Sequence, residues 1–268
     1  MTTTATPIQR LATTRKGTGE PLLLLHGIGH RRQAWDPVLA RLAESYDVIA
    51  ADLPGFGESD PFPPGSTIDM DAACRAVVAE LERLGISKPH VMGNSLGGAM
   101  ALELAQRGHA ASVVALSPAG FFRHLGDRLQ ALGVLAVLKG TASAPAAVLR
   151  RVTATRLGRR LAGMALFTHT ERLDADGMYG DSLALRDGSA FWPIARSGAT
   201  YNFHGTVDVP VTVAWGTRDR ILRHGQSSRA RRQLADARHV DLLGAGHVPM
   251  IDEPDTIVRL VQETTARA

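Results

Sequence analysis

Gly93-Asn94-Ser95-Leu96-Gly97-Gly98 is the stretch that decides how this chain is read. Its spacing is G-x-S-x-G. The apolar run 89–92 before it suits a short strand, and residues 99–107 after it are good helix formers. Strand, sharp glycine turn and helix together form the setting in which a serine is lifted clear of a sheet. A serine hydroxyl is a poor nucleophile at neutral pH and needs a base beside it. The turn that presents it strains the backbone, and side chains two residues to either side would collide there. Glycine at 93 and 97 answers that demand, and Gly98 lets the following helix pack close to the sheet. The pentapeptide alone also fits an ordinary glycine-rich turn, so the rest of the chain must separate the two readings.

Working outward, residues 21–25 form a continuous apolar run that ends at His26-Gly27 and reads as a buried strand meeting a turn. Residues 35–45 carry helical spacing through Trp35, Val38, Leu39 and Leu42, and 46–51 is a second short buried strand. Residues 52–64 are dense in Gly and Pro and read as loop. Residues 69–84 read as a helix with Asp71 in its first turn, and 111–116 is the strand after the serine's helix. Short apolar strands alternating with helices predict an α/β fold, a mainly parallel sheet covered on both faces. In such sheets ligands gather at the carboxyl ends of the strands.

The pattern changes after Pro118. Residues 121–204 show no clear strand but several helix-like stretches, at 125–138, 145–161, 174–185 and 189–199. They also hold Phe121, Phe122, Phe167, Phe191, Trp192, Tyr201 and Phe203. The segment leaves after one strand's carboxyl end and returns before the next strand, at 209–215, so it reads as a lid over a pocket rather than as an ordinary helical layer. A last strand at 238–242 and a closing helix at 256–264 complete the chain. The expected organisation is a core of residues 1–120 and 205–268 with a helical cap at 121–204.

A serine nucleophile needs a base, and the base needs an orienting carboxylate. In this architecture they follow in the order Ser, acid, His. The strand at 209–215 runs into Gly216-Thr217-Arg218-Asp219, and the strand at 238–242 into Gly244-Ala245-Gly246-His247. Both candidates stand at carboxyl ends, in the required order. His90 and His239 begin their strands, Asp208 precedes its own, and His124, His169 and His204 fall in the insertion. The candidate catalytic set is therefore Ser95, Asp219 and His247. A developing oxyanion needs donors. The backbone N–H of Leu96, at a helix start, is one, and that of Ile28, in the loop after 21–25, is the other, ahead of Gly29. The ring of His26 is read as fixing that loop rather than as a base. Phe121, Phe122, Trp192 and Met250 are expected to line the substrate pocket, with ordinary core packing as the alternative.

Hydrophobic residues make up 44% of the 268, so a sizeable core can be buried. No apolar run approaches the length of a membrane span. Residues 1–14 are Thr-rich and lack the apolar centre of a signal peptide, so a cytoplasmic location is expected. Cys74 is the sole cysteine, which excludes an internal disulfide and a thiolate metal cluster; it reads as a core residue. The formal charge is +4, almost all of its positive part arginine, with lysine only at 16, 88 and 139. Two clusters remain, Arg150, Arg151, Arg156, Arg159, Arg160 and Arg229, Arg231, Arg232. Each is either a solvated helix face or a patch that draws anionic substrates to the pocket mouth. Aromatic interleaving and nucleic-acid motifs are missing, so no nucleic-acid partner is expected.

At this point the chain resembles the α/β-hydrolase superfamily. The resemblance rests on His26-Gly27-Ile28-Gly29, the run Asp52-Leu53-Pro54-Gly55-Phe56-Gly57-Glu58-Ser59, the serine turn, Gly216-Thr217-Arg218-Asp219 and Gly246-His247. It implies an eight-stranded, mainly parallel sheet with an inserted helical cap, nucleophilic acyl chemistry without a metal or organic cofactor, and a small-molecule substrate; a homodimer is left open. Serine at 95 disfavours the branch that uses an aspartate nucleophile. Esters, lactones and thioesters all fit. Asn94 also resembles the meta-cleavage product hydrolases, which break carbon–carbon bonds, but those carry Trp after the catalytic His, where this chain has Val248. Cofactor-free haloperoxidases share the same three groups. A serine hydrolase for a small, largely apolar carboxylic ester is the leading expectation. The alternatives are carbon–carbon hydrolysis, a non-hydrolytic cyclase or acyl transferase, and a catalytically silent binding module. Fold alone does not choose among them.

Overall fold

Alternation within the strands sets up two cores. In the computed structural model, which describes residues 9–268, the strand β2 (Glu20–Leu25) turns Leu23 and Leu25 to one face and Leu22 and Leu24 to the other, and all four are buried. A strand apolar on both faces must be covered on both. One cover is α2 (Met70–Arg83) with α3 (Leu96–Gln106), whose Cys74, Val77, Leu81, Met100 and Leu104 join the first core. The other is α1 (Asp36–Leu42) with α11 (Pro254–Thr265), whose Val38, Leu42, Ile257 and Val261 join the second. Burial pushes the Cys74 thiol up to about 12, so it stays an uncharged core group.

The remaining strands are β1 (Thr13–Lys16), β3 (Tyr46–Ala51), β4 (His90–Asn94), β5 (Ser112–Leu116), β6 (Val211–Gly216) and β7 (Arg238–Leu242). Their order across the sheet is β1-β3-β2-β4-β5-β6-β7. β1 is antiparallel to β3, and every other pairing is parallel. From β2 the chain moves to β3 on one side, and from β4 to β5 on the other. The order therefore reverses between β2 and β4, where Leu25 pairs with Gly93. That reversal opens a crevice at the carboxyl ends, the place where such sheets take ligands.

The expected eight strands are seven among the described residues. Residues 10–12, upstream of β1, do not add another. They run along the loop after β3 instead, where Asp52 N–H donates to the Ala12 carbonyl and Asp60 N–H to that of Arg10. The reading of residues 1–14 falls, for 1–8, outside the described residues, and its end belongs to β1. Among the described residues no single helix is long and apolar enough to cross a membrane.

Between β5 and β6 come α4 (Leu125–Ala142), α5 (Ala146–Ala154), α6 (Arg156–Gly163), α7 (Ala175–Asp187) and α8 (Phe191–Thr200), with no strand among them. The stretch 145–161, expected as one helix, breaks at Thr155. That residue is extended, and its hydroxyl accepts from Gly158 N–H at 3.0 Å, capping α6. The helices α9 (Ser227–Gln233) and α10 (Pro249–Asp252) complete the set.

Leu24 lies fully buried on β2, between β3 and β4. Leu24→Ala should lower the unfolding free energy by about 2–5 kcal/mol, read from urea denaturation.

Candidate active site

The serine turn carries the strain its sequence implies. Ser95 sits at φ 56°, ψ −112°, between the end of β4 and the start of α3. A Cβ on Gly93 would lie 2.0 Å from the Gly97 carbonyl oxygen, and one on Gly97 would lie 2.0 Å from that of Leu25. Only glycine fits either position. The strained residue is tied down by Ser95 N–H donating to the Leu116 carbonyl at 2.9 Å, while the Ser95 carbonyl accepts from Ala99 and Ala119, each at 3.0 Å. Its hydroxyl makes no hydrogen bond among the described residues and faces a cavity.

Asp219 and His247 stand on the loops after β6 and β7 and meet. His247 Nδ1 and Asp219 Oδ2 are 2.7 Å apart, with both side chains buried. The other carboxylate oxygen, Oδ1, accepts from the N–H groups of Ile221 and Leu222, each at 2.8 Å. A carboxylate so held has one oxygen left to orient an imidazole, which places the ring proton on Nδ1 and frees Nε2. The His247 backbone is pinned as well. Its N–H donates to the Leu166 carbonyl at 2.8 Å, and its carbonyl accepts from Asn94 Nδ2 at 2.8 Å.

Ser95 and His247 line one cavity of about 350 Å³. Gly27, Ile28, Gly29, His30, Asn94, Ile221 and Val248 complete its floor at the sheet end. The walls come from the insertion and are mainly apolar, with Leu135, Leu138, Leu149, Leu166 and Leu185 among them, interrupted by Thr141, Thr153, Asp181 and Ser182. Leu185 approaches so closely that a Cβ on Gly29 would lie 2.4 Å from it. The N–H groups of Ile28 and Leu96 donate to nothing among the described residues. Leu96 opens α3, whose N-terminal end favours negative charge.

His26 is locked in the loop. Its Nδ1 donates to the Gly27 carbonyl at 2.8 Å, and its Nε2 accepts from Leu53 N–H at 2.9 Å. Both ring nitrogens are thus engaged with the neutral tautomer. Burial, against the weaker pull of Asp52, lowers its pKa to about 4. Asp52 in turn holds Arg32 and accepts from Glu58 N–H at 2.9 Å, which closes the loop that follows β3.

The four residues expected to line the pocket do not line it. Phe121 is buried in the first core against Phe203 and Trp215. Phe122 lies under the Arg128 guanidinium, 5.4 Å from the ring centre. Met250 is buried in the second core, and Trp192 is 44% exposed, edge-on to Phe191. Phe121 joins the insertion to the sheet through Trp215, and mainly aliphatic side chains, with Phe167, face the cavity. His90 bonds Ser112 at the amino end of β4, away from the site.

Sequence reasoning missed Asp252. It is buried on α10, and its carboxylate accepts from Gly246 N–H at 2.7 Å, from His169 N–H at 2.8 Å and from Thr168 N–H at 3.1 Å. One carboxylate thereby joins the His247 loop to the insertion. Its signal was faint, an Asp five residues past the histidine in an ordinary helical turn.

Asp252→Asn would set an amide N–H against backbone donors. It should cost about 1–3 kcal/mol in urea denaturation and speed hydrogen exchange at Gly246, Thr168 and His169. For His26, the unfolded chain takes up a proton near pH 6.5 and the folded chain only near 4. The unfolded state therefore binds more protons in that window. The stability this contributes is complete above about pH 6.5 and is lost as the pH falls toward 4. His26→Gln should flatten that part of the stability–pH curve.

An alpha/beta hydrolase fold family model matches residues 20–254. The chain is 30% identical over 251 residues to a pimeloyl-[acyl-carrier protein] methyl ester esterase of Neisseria meningitidis serogroup A, a match that covers 90% of this chain and 75% of the relative. Among solved structures it resembles a thermophilic esterase from Thermogutta terrifontis, with TM-score 0.71 and 24% identity over 97% of this chain and 94% of that one. It also resembles a meta-cleavage product hydrolase from Pseudomonas fluorescens IP01, with TM-score 0.75 and 21% identity over 96% and 94%.

Proposed function

The chain belongs to the α/β-hydrolase family, and from that membership we propose that it is a serine hydrolase cleaving a carboxylic ester, lactone or thioester of a small, largely apolar substrate through an acyl-enzyme. The observation that carries this reading is the 2.7 Å contact between His247 Nδ1 and Asp219 Oδ2, made at the wall of the cavity that Ser95 faces. Neither an isolated serine turn nor an isolated His–Asp pair would suffice. Together they supply nucleophile, base and orienting group.

In this reading Ser95 Oγ attacks the carbonyl carbon while its proton passes to His247 Nε2. Asp219 holds the imidazole in the required tautomer and stabilises the imidazolium that forms. The carbonyl oxygen becomes an oxyanion and takes the N–H groups of Ile28 and Leu96, which have no other partner among the described residues. Collapse of the tetrahedral species expels the alcohol, which leaves with the proton from His247. A water then gives a proton to His247 and its oxygen to the acyl carbon, and Ser95 is released with its proton restored. Both donors to the oxyanion are backbone N–H groups of the protein.

Specificity for an apolar substrate follows from the mainly apolar walls. The insertion acts as a lid, because it supplies those walls and also holds the His247 loop through Leu166 and Asp252. The relative named as a methyl ester esterase supports ester cleavage over the other acyl chemistries.

The wild-type protein should turn over short-chain p-nitrophenyl esters. Ser95→Ala should reduce kcat by about 10⁴-fold or more with the fold intact by circular dichroism. Equal rates for the two proteins would overturn the assignment.

A further inference from the structure

The cavity does not end at the sheet. Val148, Val152, Gly158 and Leu161, part of its outer wall, also line a surface groove of about 620 Å³ between α5 and α6. The larger of these side chains stand partly in water, Val148 at 47%, Val152 at 40% and Leu161 at 60%, with Leu157 beside them at 66% exposed. Scattered exposed leucines need no explanation, but a contiguous apolar set on the wall shared by the cavity and a surface groove does. Helical spacing is the cause. Val148 and Val152 are four residues apart on α5, as are Leu157 and Leu161 on α6, so each pair shares a face.

Arginines flank the same face. Arg151 lines the groove, and Arg156 and Arg160 lie one turn apart on α6. Among the described residues none of these three forms an ion pair, whereas Arg150 pairs with Asp176 and Arg159 donates to the Thr153 carbonyl. The second arginine cluster of the sequence is different. There Arg231 pairs with Asp241, and Arg229 donates to the Phe122 carbonyl. Positive charge without an ion-pair partner among the described residues therefore stands beside the apolar groove.

The occupant must satisfy both features. A second copy of this chain, seated symmetrically on the face, would set like charges against each other. A neutral lipid surface would leave the arginines without counter-charge. An anionic lipid surface supplies acidic headgroups for the guanidinium groups and acyl chains for the leucines and valines. We propose that the α5–α6 face docks on an anionic lipid surface, and that an acyl ester carried in that surface enters the cavity through the groove. The second half rests on the ester-hydrolase reading above, while docking can be measured without it.

The test is sedimentation of the full-length protein with vesicles of phosphatidylglycerol and phosphatidylcholine, against vesicles of phosphatidylcholine alone. Binding is expected on the anionic vesicles only, and it should weaken sharply at about 0.5 M salt. Arg156→Glu combined with Arg160→Glu should lower it about tenfold or more, and Leu157→Ser should also lower it. The double variant should keep wild-type turnover of a soluble short-chain ester but lose turnover of a long-chain ester embedded in the anionic vesicles. Equal binding to both vesicle types, no binding, or full binding by the double variant would overturn the proposal. Polyglutamate binding as tight as vesicle binding would do so too, by assigning the arginines to an acidic protein. A wild-type dimer in analytical ultracentrifugation that Leu157→Ser dissolves would assign the face to a second copy and likewise overturn it. Vesicle binding without hydrolysis of either ester would uphold the docking surface and overturn the hydrolase reading.

Discussion

One backbone position sets the rest. Ser95 stands in a conformation that costs an L-residue of order 1–3 kcal/mol and persists only where its surroundings over-determine it. Here three hydrogen bonds to its backbone do so, from β5, from α3 and from the segment after β5, and two glycines vacate the space that side chains would need. The close approach of Gly97 to the Leu25 carbonyl fixes α3 against the end of β2 as well. The loop carrying Ile28 and the turn carrying Ser95 are therefore positioned by a single contact. Relaxing the turn would displace the Ser95 hydroxyl and the neighbouring N–H groups together.

The second requirement is that the His247 loop be held from outside the sheet. Its N–H and that of Val248 both donate to the Leu166 carbonyl in the insertion, and Asp252 bridges Gly246 to Thr168 and His169. The insertion is thus more than a covering over the cavity. Movement of its 166–169 segment would be felt at the imidazole through two carbonyl acceptances and one shared carboxylate. This couples the shape of the mainly apolar cavity to the geometry of the groups facing it, and it explains why a carboxylate is buried at 252 without a basic partner among the described residues.

Legibility in the sequence followed the strength of the local constraint. The strands β2 to β6 were readable because each is a short, largely buried run, whereas β7 (Arg238–Leu242) lies at one sheet edge with only Leu242 buried. β1 was not readable, because Thr13–Lys16 lies at the other sheet edge and holds no apolar residue. The sharp turn at Ser95 and the meeting of Asp219 with His247 were readable because glycine spacing and strand ends leave few choices. The role of His26 as a loop lock was legible too, and its two hydrogen bonds accord with it. The pocket lining was not legible. Aromatic content says that a residue is large and apolar, not which surface it will cover, and the rings of Phe121 and Phe122 went to packing between layers. Asp252 was hidden because its partners are backbone N–H groups distant in sequence, and these leave no side-chain signature. The split between α5 and α6 turned on one threonine that prefers to cap.

The central claim is that Ser95 is made nucleophilic by His247 as Asp219 holds it. Its most direct measurement is covalent labelling with a fluorophosphonate, followed by peptide mass spectrometry. The account predicts a single adduct on Ser95 in the wild-type protein, and labelling slowed by orders of magnitude in His247→Gln and, to a lesser degree, in Asp219→Asn. An adduct on any other residue, or labelling of Ser95 at the same rate in His247→Gln, would contradict it.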